Sequence, residues 1–171
     1  NHLRYCLATG EWREADIETT RIMLAIMGKE ERVQFHEKEL LHFPCAELQI
    51  IDRLWLENSN GKFGFSVQKR IYAEISGGEI NRNGWDEFSK RVGWRDSNNI
   101  NYDPEAGWIR STTYDASAPI GHIPVLGVGD IEGYEKSIRN MGWLSQDWLL
   151  RRNMMIPLFN RMESCMESTS N

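Results

Sequence analysis

The sequence predicts an all-α domain, a compact bundle of about six to eight helices. Three observations point there. In the stretch 43–72, Leu48, Ile51, Leu54 and Trp55 share one helical stripe, and Phe63, Val67, Ile71 and Ile75 recur every four residues to form a second. A longer segment, 11–27, spaces its apolar residues by three and four, and that spacing returns beyond 134. Stop signals separate these segments: Gly10, Gly28, the run Asn58, Ser59, Asn60 and Gly61, the pair Gly77 and Gly78, and Gly93.

Residues 3–8 carry a weak helical pattern that ends at Gly10. The next helix is predicted over 11–27, with Trp12, Ala15, Thr19, Ile22 and Ile26 on its stripe and Gly28 as its stop. A charged connection, 28–34, contains Val33, and Phe35 follows it directly. Such a pair is either a satellite of the core, the favoured reading, or part of an exposed binding lip. Pro44 sits near the start of the central segment, where its missing N–H costs nothing. Two stripes joined by a short polar turn predict an antiparallel helical hairpin. Asp52 inside it reads as a hydrogen-bonded structural carboxylate before a catalytic one. Trp85, Phe88 and Val92 mark a short helix.

The stretch 94–124 is different in kind. It is rich in Asn, Asp, Ser, Gly and Pro, yet contains Trp94, Tyr102, Trp108, Ile109, Tyr114, Ile120 and Ile123. A long aperiodic connection with so many aromatics reads as functional rather than disordered, with a short extended segment at 108–113. Helical spacing resumes at 134–141 and 148–162, with Pro157 expected to kink or divide the last helix. This gives a helical domain over 1–162 and a polar, frayed tail at 163–171.

The 171 residues suit one domain, and a net charge of −5 gives no reason to expect nucleic acid. The longest apolar run, 22–27, is far too short to span a bilayer. Three cysteines, Cys6, Cys45 and Cys165, are odd in number and scattered, so a reducing compartment is expected and no disulfide framework. The chain starts at Asn1 and shows no signal-peptide pattern, which leaves a fragment or a processed form open. Seven Trp and seven Met suit a broad apolar ligand surface, and a helical core equally well.

Little in the residues asks for catalysis. His2, His36, His42 and His122 have no partner at metal-ligand spacing, and no nucleophile elbow, Walker or dinucleotide fingerprint occurs. Ser66 in GFSVQ falls on a predicted helix without a local base.

The string FPC-x-x-L-x-x-I-D-x-L-W, then SNGKFGFSVQKRI, RVGW and APIGHIP, together resemble the Genomes-Uncoupled family of porphyrin-binding proteins that stimulate magnesium chelatase. The resemblance runs over roughly residues 3–125 and is loose beyond. It implies a cupped apolar cavity edged by two loops, here the connection after Met27 and the one after Trp94. It also implies non-covalent binding of protoporphyrin IX and Mg-protoporphyrin IX, with the large porphyrin-binding subunit of magnesium chelatase as partner. A flat macrocycle with two propionates needs an apolar surface and cations at one edge.

On that basis Met27, Val33 and Phe35 form one candidate lip, with Arg21 and Arg32 nearby. Phe88, Trp94, Trp108, Ile120 and His122 form the other, with Arg91, Arg95 and Arg110 as candidate propionate partners. Core burial for each Trp and a solvated surface for each Arg are the plain alternatives. In the APIGHIP loop, Pro119, Gly121 and Pro124 shape the backbone, leaving Ile120 and His122 to reach a ligand or partner. A structural hydrogen bond is the commoner role for such a His; ligation of the central magnesium is the rarer one. The insert 96–107 is longer than the family leads one to expect.

The resemblance implies a non-enzymatic, monomeric regulator of chlorophyll biosynthesis in a plastid stroma or a cyanobacterial cytoplasm, with loose membrane association open. Ser168, Thr169 and Ser170 resemble phosphorylated tails of some relatives. Three rivals remain: a chelatase-subunit scaffold without pigment, a bilin-binding protein, and an enzyme acting on porphyrins.

Overall fold

The computed structural model describes residues 2–30, 35–81, 83–95, 112–126 and 147–167, with backbone alone at 147–151 and 167. Among these lie helices α1 (His2–Thr9), α2 (Trp12–Ile26), α3 (Glu37–Leu40), α4 (Cys45–Asn58), α5 (Phe65–Ser76), α6 (Trp85–Arg91) and α7 (Asp147–Glu167), and no sheet. The all-α expectation is met. α1 packs on α2 and α4, α6 packs on α5, and α7 runs against α3, α4 and α5.

Each helix buries one face, but not always the face its apolar spacing announces. In α4 the stripe holds: Leu48, Ile51 and Trp55 are buried. In α2 the buried face is rotated. Asp16, Thr19, Thr20, Met23 and Leu24 are inside, while Ile22 and Ile26 are half-buried. Buried polar groups are tolerable only when hydrogen-bonded. Thr19 Oγ1 donates to Ala15 O at 2.7 Å and accepts the indole N–H of Trp55 at 3.0 Å, which locks α2 to α4.

The antiparallel hairpin is a correction. α4 and α5 make few contacts with each other, and each packs on α7 instead. Phe63 is buried in the turn, and α5 begins only at Phe65. The turn is held by side chains. Ser59 Oγ donates to Trp55 O and accepts the Phe63 amide at 2.9 Å. Asp52 Oδ1 accepts the Ser66 amide at 2.9 Å, satisfying one of the amides left open at the start of α5. The structural reading of Asp52 fits this contact. Burial pushes its carboxyl above the ordinary carboxylate value, and the Ser66 hydrogen bonds pull the other way.

An aromatic cluster fills the centre. Phe88 meets Tyr72 at 5.3 Å, Trp94 at 5.5 Å and Phe159 at 5.9 Å between ring centroids, each in an edge-on arrangement. Such pairs add to the burial of large rings, so this cluster ties α5, α6 and α7 together.

Two further expectations change at α7. The helix is not divided at Pro157, which is buried between Ile156 and Leu158. Apolar packing on both sides outweighs a local proline cost of about 3 kcal/mol. Helical order also continues through 163–167, where Lys69 pairs with Glu163. Cys45 and Cys165 form a disulfide, against the expected free thiols; Cys6 is free and buried. Their separation of 120 residues hides the pair in the sequence, but the start of α4 meets the end of α7 and brings their Cα atoms to 5.5 Å.

Candidate functional site

The segment 112–126 has no regular secondary structure, so its backbone must find partners elsewhere. Four parts of the helical frame supply them. From α5, Gln68 Nε2 donates to Gly121 O at 3.0 Å and Pro124 O at 2.8 Å. From α2, the carboxylate of Asp16 accepts the amides of Val125 and Leu126 at 3.0–3.1 Å and the Tyr114 hydroxyl at 3.0 Å. The turn before α5 contributes Lys62, whose carbonyl accepts the Gly121 amide at 2.9 Å and whose ammonium reaches Ala116 O. Beyond α6, the indole of Trp94 donates to His122 O at 2.7 Å. Asp16 and Gln68 are fully buried, so these contacts are shielded from water.

Glycine is required twice. Gly93 and Gly121 both have φ near +75°, and a Cβ would lie 2.7 Å from Pro119 Cγ at the first and 2.8 Å from Ile71 Cδ1 at the second. The loop therefore fits its frame with no room for a side chain at either position.

The residues singled out from the sequence separate into groups. Trp94 is fully buried between Trp85, at 5.8 Å, and Phe88, and it holds the loop from below. Phe88 is equally buried. His122 is buried too: Nδ1 donates to Val92 O at 2.7 Å and Nε2 accepts the Thr113 amide at 3.0 Å, a tautomer assigned from these partners. Both ring nitrogens are thus engaged, which fits the structural role and leaves neither for a metal in this arrangement.

Ile120, at the tip between Pro119 and Gly121, is 56 % exposed. At the other lip Met27 is half-buried and Phe35 is buried, so Phe35 follows the satellite reading. Arg21 lies 3.6 Å from Glu14 and 3.7 Å from Glu18, Arg95 pairs with Asp86, and Arg91 lies 3.6 Å from Glu74. Val33, Arg32, Trp108 and Arg110 lie outside the described residues, as do the insert 96–107, Ser168, Thr169 and Ser170. Among the described residues no group of His, Cys, Asp or Glu could hold a metal ion, and no helix is long and apolar enough to cross a membrane.

A family model described as GUN4-like matches residues 1–139. This chain belongs to the GUN4-like family. Its relatives include a Ycf53-like protein from Synechocystis, 31 % identical over 85 % of this chain and 59 % of that protein. Another is a protein from Arabidopsis thaliana named "Tetrapyrrole-binding protein, chloroplastic", 28 % identical over 70 % of this chain and 45 % of that one. The chain thus spans about half the length of the curated relatives it matches. Among solved structures, GUN4 from Chlamydomonas reinhardtii superposes with a TM-score of 0.59 at 28 % identity, over 92 % of this chain and 87 % of that one. Ligand-free GUN4 from Arabidopsis gives 0.60 over 92 % and 94 % at 22 % identity, a likeness of fold.

Two residues that organise this GUN4-like loop escaped the sequence reading. Asp16 and Gln68 sit on helices more than fifty positions from the groups they hold. The one available signal was a polar residue beside an apolar stripe, which is also what an exposed position looks like.

Proposed function

We propose that this GUN4-like chain is a non-catalytic tetrapyrrole-binding regulator that takes protoporphyrin IX and Mg-protoporphyrin IX and stimulates magnesium chelatase. The supporting observation is the preformed loop 112–126, bolted to α2 and α5 by buried hydrogen bonds and presenting one large apolar side chain, Ile120, to solvent. A preset apolar surface binds a rigid macrocycle without first being ordered. Family membership and the name of the Arabidopsis relative supply the ligand class.

Ile120 and Met27, with the half-buried Ile22 and Ile26 of α2, fit an apolar macrocycle face. Val33 and Trp108 are proposed to complete the two lips. Phe35, Phe88 and Trp94 act from beneath as packing, and His122 shapes the loop. Arg21 and Arg95 become propionate partners by exchanging their present carboxylates for those of the ligand. In the cell the chain acts as a monomer on the large porphyrin-binding subunit. The cyanobacterial and chloroplast relatives support a cyanobacterial cytoplasm or a plastid stroma.

Titration with Mg-protoporphyrin tests the reading, following tryptophan emission and the porphyrin absorption band together. Saturable quenching at one pigment per chain, with a band shift, is expected. Ile120→Ala should weaken it about tenfold, the loss of one well-packed aliphatic contact. Non-saturating quenching that Ile120→Ala leaves unchanged favours the scaffold reading instead.

A further inference from the structure

An apolar concavity lies between α4 and α5, with the end of α7 as its floor. Its volume is about 680 Å³, within the usual range for small-molecule sites. Leu48 and Leu56 of α4, Ala73 of α5 and Ile80 line its walls, and Met162 and Met166 line the floor. Among the described residues, none put forward for the tetrapyrrole borders it.

Its charged groups are unequally committed. Asp52 is turned to the Ser66 amide, and the Lys69 ammonium is paired with Glu163. Arg53 and Arg70 are exposed, one from each wall, and no ion pair found among the described residues uses either. The groove therefore combines an apolar bed with two uncommitted guanidinium forks, which match a carboxylate in charge and geometry. Methionine side chains adapt to an irregular apolar shape, and Met166 is 52 % exposed.

We propose that this groove binds a small amphipathic carboxylate, its apolar body on Leu56, Met162 and Met166 and its carboxylate between Arg53 and Arg70. The site is separate from the tetrapyrrole surface and does not depend on that reading.

The probe is a dansyl-labelled undecanoic acid, followed by fluorescence on the full chain with and without saturating Mg-protoporphyrin, and compared with its methyl ester. The acid should saturate at one per chain in both conditions and bind about tenfold tighter than the ester, the scale of one charge-assisted pair. Arg53→Gln with Arg70→Gln should erase that preference, and Met166→Glu should weaken the acid at least as much; all three side chains are exposed, so folding is spared. The proposal is overturned if acid and ester bind alike, if the double variant keeps wild-type affinity, or if porphyrin displaces the probe. The last outcome would place the probe on the tetrapyrrole surface.

Discussion

Backbone groups in the 112–126 loop bond to side chains of α2 and α5 and to the Lys62 carbonyl, whereas the walls of the α4–α5 groove are largely helical and bond mainly within their own helices. The consequence is visible in the side chains. Around the loop the important residues are buried and polar, Asp16 and Gln68, and each is committed to a particular carbonyl or amide. Around the groove they are mainly apolar, with Arg53 and Arg70 exposed at its walls. A loop that must keep one shape takes polar groups out of the surrounding core, while a helical groove leaves its surface free for a ligand. The fastenings differ accordingly: a hydrogen-bonded network at the loop, and at the groove the Cys45–Cys165 disulfide that pins α7 to α4.

The largest effect should come from the disulfide. Closing a loop of this length is worth roughly 5 kcal/mol in the chain-entropy account. Cys165→Ser should lower unfolding stability by about that amount in denaturant titrations, and reductant should bring wild type down to the same level. A reductant-insensitive wild type would remove the disulfide from the comparison.

Next is Asp16→Ala, which leaves the buried Val125 and Leu126 amides without their acceptor and should cost about 3 kcal/mol. Hydrogen exchange makes the test local. Both amides should lose protection while α4 keeps its own, and equal loss in the two regions would mean that they are one cooperative unit.

Smallest is the pH dependence at Asp52. Its carboxyl is raised in the folded state, so between the ordinary carboxylate value and the folded one the native chain holds more proton than the unfolded chain. Stability should therefore fall as pH rises through that window and be greatest on its acid side. Asp52→Asn should flatten this dependence. An unchanged slope would show that burial within α4 does not act on this group.

The helices were legible because a stripe at helical spacing is a local signal, and burial of Leu48, Ile51 and Trp55 followed from it. Glycine stops were legible for the same reason, since a left-handed residue after a helix is a property of one position. The family strings identified the loop and left Ile120 and His122 to reach a ligand or partner; of these Ile120 is exposed and His122 is buried. The roles of Trp94 and His122 were not separable in sequence, because an aromatic that stacks on a ligand and one that supports a loop have the same local pattern.

By itself, then, the sequence determined the all-α class, most helix boundaries and the family, all of which rest on residues near one another in the chain. Tertiary structure alone decided that α2 turns Asp16 and Thr19 inward, that α4 and α5 splay around α7, and that Cys45 meets Cys165. Each of these depends on partners many positions apart, and a buried polar group or a thiol acquires its role only when folding places its counterpart within bonding distance.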